Sequence, residues 1–535
     1  MNPSWSDPVL SCAEARALER RLFGEDEERE WAAMQRAGAA VARAVLEDFK
    51  EIGGFPATGR LLVLAGKGHN GGDALLAART ILEQFPAARA AVLPVFGERA
   101  LRPLAWRAWR ELLRSAPERV TKAAPKKDAP DGEAGYDLCL DGVFGFQFRP
   151  PIDAATSGVL RRVNAHPRIR LRAAVDLPSG LGGKAGEPTF QADFTYATGS
   201  VKALVLEPAH AASVGRLRYL DLGFFAPVRV GSPLAGDLSV PSRASALPTS
   251  TTDFVLKASV LAPLAALRAP QSDKRTFGHL FVLGGSRSYP GAVLMAVRAA
   301  LRSGAGLVTA FVPVSLVAAF AASAPEAIWV GWPEAPNGGL ALDGLSLLRA
   351  RLERATALVV GPGLGPEREA LMLAGEIVKL AAVPIVLDAD AQQPSVLAGA
   401  QGKHVVCLPH AGEFQRLAGG REASPAALRA LARETGATVV LKGPTTRIAE
   451  GGRIFHSFFG GPVLARVGSG DLLAGLTGGL LAQAPDDPLT AACRGVAWHG
   501  LAADLLARDR GQVAVQVTQL LEYLPAALRA AGDAR

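Results

Sequence analysis

Cysteine is scarce in this sequence, and its positions form no regular pattern. The 535 residues include four cysteines, which are far apart and contain no Cys-x-x-Cys pair: Cys12, Cys139, Cys407 and Cys493. This argues against a disulfide framework or a zinc site. We therefore expect free thiols and a reducing, cytoplasmic environment.

Other signals are missing too. The net charge of +8 is spread along the chain, with no Lys/Arg block like those of nucleic-acid-binding arms. The start of the chain lacks a basic segment followed by an apolar run. No repeat of about 20–50 residues is evident. We expect no nucleic-acid partner and no signal peptide.

A single uncharged stretch, residues 303–325, is long enough to suggest a transmembrane helix. Pro313 divides it, however. The part before this proline is rich in β-forming residues, and the part after it is rich in alanine. We therefore predict a buried strand, a turn and a helix, and no membrane association.

The hydrophobic content of 49% is sufficient for large buried cores, and the length suggests two or three domains. Strands and helices are predicted to alternate, which is typical of mostly parallel sheets covered on both faces. Residues 28–50 and 75–84 are predicted helices of the first half. Predicted strands are residues 60–65, 90–95, 138–143, 173–177 and 194–198, then 280–283, 307–312, 357–360, 385–387, 405–408 and 438–441.

Two polar segments divide this pattern. Residues 121–135 are rich in Pro and Gly and are predicted to form a surface loop, and residues 228–252 are predicted to be a linker. We predict two α/β domains, residues 1–227 and 253–535. Ligands of such folds bind beyond the carboxyl ends of the strands.

A glycine-rich sequence, GKGHNGGD at residues 66–73, joins a predicted strand to a helix. Glycines allow close approach of a ligand to the backbone, and a helix N-terminus favours a phosphate. The match to Gly-x-Gly-x-x-Gly is weak by itself. The alternative is a purely structural turn.

Two further strand ends in the first half carry carboxylates. Asp141 ends LCLD, and Asp176 ends AAVD before Pro178-Ser179-Gly180. The alternative for each is a turn-forming or capping residue. Oxygens from Asn70, Asp141 and Ser179 would suit a hard cation rather than zinc. Lys202 follows another predicted strand, and we expect it to be solvated.

Taken together, KGHNGGD, LDGVFG, VDLPSG and TYATGSVK resemble motifs of the NAD(P)H-hydrate epimerase family over residues 13–225. The resemblance implies a Rossmann-like three-layer α/β/α domain that binds the hydrate of NADH or NADPH with a potassium ion. It implies that Asp176 is the acid/base beside the nicotinamide ring, and that Asn70, Asp141 and Ser179 hold potassium. The other implied hydrate contacts are His69, Asn70, Gly71, Gly72, Asp73, Gly145, Phe146, Gln147, Phe148 and Arg149, within residues 69–73 and 145–151.

The chain departs from this family at a few positions. His69 and Ala74 replace the usual Asn and Gly of Asn-Asn-Gly-Gly-Asp-Gly. Phe146-Gln147-Phe148 replaces the usual Gly-Thr-Gly. A non-catalytic ligand-binding or docking role of the first domain is therefore a second hypothesis.

The second half contains GSGD at residues 468–471, at the start of an apolar helix. Its glycines free backbone N–H groups to receive negative charge, and Asp471 is then placed to activate a hydroxyl group. The alternative is that the aspartate only caps the helix. Asp388 and Asp390 are candidate metal ligands, and His410 is either a ligand contact or a core histidine.

The motifs GGS…GA, GPGLG, DADA, PHAGEF, KGPTT and GSGD occur in the order typical of the ADP/ATP-dependent NAD(P)H-hydrate dehydratase family, which residues 254–524 resemble. This implies a ribokinase-like fold that phosphorylates the C6 hydroxyl of the hydrate and then eliminates phosphate. Asp471 would take the hydroxyl proton, and Ala292, Gly365 and His410 would also contact the hydrate. The implied nucleotide contacts are Lys442, Gly443, Pro444, Thr445, Thr446 and Gly470.

The combined prediction is a bifunctional repair enzyme. The first domain equilibrates R- and S-hydrates, and the second dehydrates the S form with ADP, which the bacterial members favour, or ATP, together with magnesium. We also expect a homo-oligomer. A vitamin-type kinase is the rival enzyme class, because it shares the Gly-x-Gly-Asp loop.

Overall fold

The computed structural model describes residues 3–123, 135–225 and 251–533. The chain divides into two compact units, an N-terminal unit of Asp7–Thr251 and a C-terminal unit of Thr252–Arg535 together with Met1–Ser6. Most of the predicted linker and of the predicted loop at residues 121–135 lies outside the described residues.

The N-terminal unit is built around one parallel sheet. Its seven strands have the order β4-β3-β2-β5-β6-β7-β8, and each neighbouring pair is parallel. The first strand of the chain, β1 (Ser6–Pro8), is not part of this sheet. The elements that follow it are α1 (Cys12–Phe23), α2 (Glu27–Phe49), β2 (Arg60–Ala65), α3 (His69–Gln84), β3 (Arg89–Pro94), α4 (Pro103–Ser115), β4 (Val120–Lys122), β5 (Tyr136–Gly142), α5 (Ala154–Ala165), β6 (Ile169–Val175), β7 (Phe194–Thr198), α6 (Ala211–Val214) and β8 (Arg216–Leu220).

Strand β2 shows why both faces of this sheet are covered. Successive side chains of a strand point to opposite faces. Leu61 and Val63 belong to a core cluster with α2, whereas Leu62 and Leu64 belong to another with α5. The continuous apolar run of β2 therefore follows from burial on both sides.

The C-terminal unit contains a larger sheet, with the strand order β1-β9-β18-β17-β16-β15-β14-β13-β10-β11-β12. Its antiparallel pairs are β16–β17 and β17–β18. The strands are β9 (Asp253–Leu256), β10 (His279–Leu283), β11 (Leu307–Pro313), β12 (Ile328–Trp332), β13 (Ala357–Val360), β14 (Ile385–Leu387), β15 (Val405–Cys407), β16 (Thr438–Leu441), β17 (Thr446–Glu450) and β18 (Arg453–Ser457).

Helices pack on both faces of this sheet. Helix α14 is buried around almost its whole circumference, as expected for a helix without a polar face. The helices are α7 (Pro290–Arg302), α8 (Val317–Ser323), α9 (Leu345–Arg349), α10 (Arg368–Leu380), α11 (Pro394–Ala398), α12 (Ala411–Leu417), α13 (Pro425–Thr435), α14 (Ser469–Gln483), α15 (Pro488–Arg510) and α16 (Leu520–Asp533).

The uncharged stretch at residues 303–325 forms strand β11 and helix α8, as predicted. Within the described part of the chain, no helix has the length and apolar character needed to span a membrane. All four cysteines are free, as expected from their spacing.

Candidate active sites of the two units

The helix after β2 begins earlier than predicted. Gly68 is the N-cap residue and His69 the first residue of α3, so HNGGD forms the first turns of the helix. The prediction that the helix begins near Leu75 is therefore wrong. Close packing outweighs the poor helix propensity of glycine here, because a Cβ on Gly71 would lie 2.2 Å from the carbonyl oxygen of Gly66.

The glycines of this loop have different roles. A Cβ on Gly66 would lie 2.0 Å from the carbonyl oxygen of Val143, so Gly66 and Gly71 are required by packing alone. A Cβ on Gly68 would meet nothing within 4 Å. The structural interpretation of the motif thus explains Gly66 and Gly71, whereas Gly68 leaves open space at the start of the helix.

Asp141, at the end of β5, is fully buried and holds the Ser179 loop. The backbone N–H and the hydroxyl group of Ser179 donate hydrogen bonds of 2.8 and 2.7 Å to its carboxylate. The N–H of Val143 donates a third hydrogen bond, of 3.2 Å, to the same carboxylate. This last contact is typical of a turn-forming aspartate. Burial raises the pKa of Asp141 to about 6, although these hydrogen bonds oppose the rise.

Asn70 lies next to this group. Its Nδ2 donates a 2.8 Å hydrogen bond to the carbonyl oxygen of Phe144, whose own N–H donates to Ser179 Oγ. The Oδ1 atom of Asn70 is buried and has no hydrogen-bond partner. An unsatisfied amide oxygen beside a hydroxyl and a carboxylate is a donor set that suits a hard cation.

Asp176 and Lys202 form a buried ion pair. The amino group of Lys202 donates hydrogen bonds to Asp176 Oδ1 and, at 3.1 Å, to the carbonyl oxygen of Ser200. Its side chain is 2% exposed. The prediction that Lys202 is solvated is therefore wrong, because the chain after β7 turns back towards the end of the neighbouring strand β6.

The backbone conformation of Asp176 favours a functional role over that of a simple turn residue at the end of the strand. Its φ of 66° lies in the left-handed region, which is uncommon for a residue with a side chain. Such conformations are concentrated at functional sites. The neighbouring Lys202 also lies 4.9 Å from the centre of the Phe146 ring.

These residues line a cavity of about 240 Å³. It brings together many of the predicted hydrate contacts, namely His69, Asn70, Asp73, Gly145, Phe146, Gln147, Phe148 and Asp176. Gly71, Gly72 and Arg149 are not among the lining residues. A Cβ on Gly72 would lie 2.5 Å from Met34 Sδ, so this glycine serves helix packing, and Arg149 is exposed.

The cavity also contains several charged residues besides Asp176. Burial, together with the charges of Asp176 and Glu19, raises the pKa of Asp73 well above its usual value. Lys67 and Arg102 line the same cavity. Glu19, Lys202 and Arg102 lie far from the glycine motif in the sequence, so their presence could not be inferred from local patterns.

In the C-terminal unit, the order of the strands brings the predicted motifs together at one edge of the sheet. Strands β10, β13, β14, β15 and β16 are successive parallel neighbours. The carboxyl ends of parallel neighbours lie together. GGS, GPGLG, DADA, PHAGEF and KGPTT follow these strands in that order.

Lys442 is at the centre of a cluster of carboxylates. Its Nζ lies 3.1 Å from Asp388 Oδ1 and 3.8 Å from Glu413 Oε2. Burial would lower the pKa of Lys442, but these carboxylates outweigh it and raise the pKa. Asp388 thus binds Lys442, while Asp390 lies in the turn Ala389–Ala391 that follows it. Within the described residues, no group of three or more His, Cys, Asp and Glu side chains is arranged to hold a metal.

Asp471 does not cap its helix. The N-cap residue is Gly468, with a φ of 91°, and no side chain makes a cap hydrogen bond. The capping alternative is therefore wrong. Burial raises the pKa of Asp471 to about 7, with a further contribution from Asp388, while Lys442 opposes the rise. A Cβ on Gly470 would lie 3.2 Å from Lys442 Nζ, so the loop and the lysine are in close contact.

His410 is the N-cap residue of α12. Its Nδ1 accepts a 3.0 Å hydrogen bond from the N–H of Gly412, and its side chain is 62% exposed, which excludes the core-histidine interpretation. The Glu413 carboxylate accepts a 2.8 Å bond from the N–H of His410 in return. The other ring nitrogen of His410, Nε2, lies 3.4 Å from Glu413 Oε1.

The remaining predicted contacts lie on loops of the same edge. A Cβ on Gly363 would lie 3.1 Å from the Cβ of Ala292, so GPGLG meets the start of α7. Gly365 has a φ of 93° and lies near the carboxylate of Glu367. Gly443, Pro444 and Thr445 join β16 to β17, and Thr446 is the first residue of β17.

Comparison with known proteins gives one family match in each half of the chain. The family model described as NAD(P)H-hydrate dehydratase matches residues 280–526, and the model described as YjeF-related protein N-terminus matches residues 31–204. The crystal structure of an ADP/ATP-dependent NAD(P)H-hydrate dehydratase from Bacillus subtilis is 27% identical, with a TM-score of 0.45 over 52% of this chain and 98% of that chain.

Two relatives match nearly the whole length. The bifunctional NAD(P)H-hydrate repair enzyme Nnr of Gloeobacter violaceus is 36% identical over 533 residues, covering 97% of both chains. The enzyme of the same name from Moorella thermoacetica is 33% identical, covering 97% of this chain and 96% of its own. The prediction of two α/β domains with mostly parallel sheets is confirmed, and the family matches favour a repair enzyme over the vitamin-type kinase alternative. The chain belongs to the family of bifunctional NAD(P)H-hydrate repair enzymes.

Proposed function

We propose that this enzyme restores damaged nicotinamide nucleotides in two steps on one chain. The N-terminal unit interconverts the R and S epimers of NADH or NADPH hydrate. The C-terminal unit converts the S epimer into NADH or NADPH, with ADP or ATP and magnesium. The four free cysteines support the predicted location in a reducing cytoplasm.

The observation that carries the C-terminal assignment is the position of Asp471. It lies at the glycine-rich start of α14 but does not cap the helix, and it is close to Lys442 and the carboxylates around that lysine. We propose that it takes the proton of the C6 hydroxyl while that oxygen attacks the terminal phosphoryl group. A base with a pKa near 7 suits this step at neutral pH, and general-base help is worth about 10²–10⁴-fold in rate.

The other parts of the C-terminal site serve binding and charge balance in this proposal. The N–H groups at the start of α14 and the Lys442 ammonium face the phosphates. Ala292, Gly365 and His410 contact the hydrate, and residues 442–446 with Gly470 contact the nucleotide. Phosphate then leaves C6 together with a proton of the ring, which restores the dihydronicotinamide.

In the N-terminal unit we propose that Asp176 exchanges the proton of the C6 hydroxyl. The buried Lys202 amino group donates a hydrogen bond to this carboxylate and fixes its position. The wall of the cavity is formed by predicted contacts, including Asn70, Asp73 and residues 145–148. Since Gly71, Gly72 and Arg149 do not line the cavity, we assign the first two to helix packing and Arg149 to the rim.

We propose that potassium binds at Asn70, Asp141 and Ser179. The unsatisfied Oδ1 of Asn70 is the supporting observation. A cation there would supply positive charge behind the hydrate-binding loops. The chain's own residues would still position the hydrate and move the protons.

The dehydration is tested by incubating the enzyme with NADPH hydrate and magnesium, and either ADP or ATP. We expect the absorbance band of the reduced nicotinamide to return, faster with ADP. No recovery with either nucleotide would contradict the proposal, and recovery with ATP alone would reverse the nucleotide assignment.

A further inference from the structure

Glu19 is an unassigned acid at the N-terminal site. It lies on α1, before the segment at residues 31–204 that matches the family model, and none of the sequence motifs includes it. Its side chain nevertheless lines the cavity that contains Asp176 and Lys202. It also lines an adjoining cavity of about 70 Å³. Glu19 therefore belongs to the wall of the reaction chamber.

The position of α1 is tied to Lys202. The N–H of Leu10 donates a 2.9 Å hydrogen bond to the carbonyl oxygen of Val201. The N–H of Ala203 donates a 2.8 Å hydrogen bond to the carbonyl oxygen of Leu10. Leu10 is thus hydrogen-bonded to the residues on both sides of Lys202 in the sequence. The helix begins directly afterwards, at the Ser11 capping box. This pairing holds the helix that carries Glu19 beside the ion pair.

The carboxyl group of Glu19 has no partner of its own. Among the described residues, none makes a hydrogen bond or ion pair with it, although most of its surface is covered. The charged groups that face it are Lys202, Asp176, Glu30, Arg16 and Asp73. Burial raises its pKa to about 7, with Asp176 and Glu30 adding to the rise and Lys202 and Arg16 opposing it. A fraction of the Glu19 side chains therefore carries a proton at neutral pH.

Inversion at C6 of the hydrate needs an acid as well as a base. If Asp176 removes the hydroxyl proton, the C6–N1 bond can break, with its electron pair going to N1 and C6 becoming an aldehyde carbon. N1 must then receive a proton. The proton that Asp176 has taken must return to the oxygen when the ring closes, so a second group is needed to give a proton to N1 and take it back.

We propose that Glu19 is the proton donor that completes the epimerisation assigned above to Asp176, and the inference rests on that proposed function. Glu19 gives its proton to N1 as the ring opens. After rotation about the C5–C6 bond, N1 attacks the other face of the aldehyde and returns its proton to Glu19. Asp176 returns its proton to the oxygen, so both residues end as they began.

The experiment compares wild type with Glu19→Gln, in the absence of nucleotide so that no dehydration occurs. The two epimers of NADPH hydrate are separated by chromatography, and their interconversion rate is measured. We expect a loss of about 100-fold for Glu19→Gln, within the usual range for an acid or base catalyst. The control is Glu25→Gln, which changes an exposed glutamate next to the same helix and should leave the rate unchanged.

The pH profile distinguishes proton donation from a structural role. The wild-type rate should fall as the pH rises above about 7, because Glu19 then loses its proton. Glu19→Asp should restore part of the rate, and Glu19→Gln should bind the hydrate as wild type does, as measured by protein fluorescence. A wild-type rate and profile in Glu19→Gln, or a rate lost only through weaker binding, would overturn the inference and leave the epimerase function intact. A wild-type rate equal to the spontaneous one would overturn both.

Discussion

Lys202 and Asp176 form an ion pair in which only 2% of the lysine side chain and 7% of the aspartate side chain are exposed. They lie 26 positions apart, at the ends of neighbouring parallel strands. A buried pair of this kind is costly to break, because the remaining partner is left as an uncompensated charge. Both partners line the cavity of the N-terminal unit, so the ion pair forms part of the proposed epimerase site.

Removal of the lysine charge tests this relationship. Lys202→Met should lower the free energy of unfolding by about 3–5 kcal/mol, because it leaves the Asp176 carboxylate buried and unpaired. The double variant with Asp176→Asn should lose less than the sum of the two single variants. Urea unfolding of the four proteins measures this coupling, and strictly additive losses would contradict it.

Asp471→Asn should abolish nucleotide-dependent dehydration, with a loss of at least about 10²-fold, because the amide cannot accept the hydroxyl proton. In wild type, kcat/KM for dehydration should rise with pH through about 7, since Asp471 must be unprotonated to act as a base. The opposite sign is expected for the epimerisation, in which Glu19 must be protonated. A dehydration rate that falls over this interval would exclude Asp471 as the base.

Potassium should stabilise the N-terminal unit. A ligand that binds only the folded state raises the free energy of unfolding by about 2.7 kcal/mol when its concentration is a hundred times its Kd. Calorimetric unfolding in potassium chloride, with tetramethylammonium chloride as the reference, measures this effect. Asn70→Ala should remove it, and Asn70→Asp, which keeps an oxygen in place, should retain part of it. Equal unfolding temperatures in the two salts would argue against the site.

Two glycines of the same motif should respond differently to alanine. Gly71→Ala should destabilise the protein by about 1–3 kcal/mol, because its Cβ would lie 2.2 Å from the carbonyl oxygen of Gly66. Gly68→Ala meets no neighbour and should fold normally, but bind the hydrate more weakly. Unfolding and hydrate titration of the matched pair check this, and normal binding by Gly68→Ala would assign that glycine to structure alone.

The sequence was sufficient to predict the strands and most of the motif positions, because apolar runs and glycine loops are local patterns. β2, β7, β13, β14 and β16 have the predicted bounds. It was insufficient for Lys202 and Glu19, whose burial depends on contacts with distant segments. The early start of α3 was missed because glycine disfavours helices in isolation, and only the packing of Gly71 against Gly66 explains it.

One chain is proposed to act on both epimers, so the fate of the R-hydrate is the decisive measurement. Asp471→Asn protein is mixed with R-NADPH hydrate, ADP, magnesium and a separately supplied S-specific dehydratase, and the appearance of NADPH is followed. We predict that R-hydrate is consumed well above the rate of spontaneous epimerisation, and that Asp176→Asn in the same protein removes this acceleration. Consumption at the spontaneous rate would contradict the account and favour a binding or docking role for the N-terminal unit.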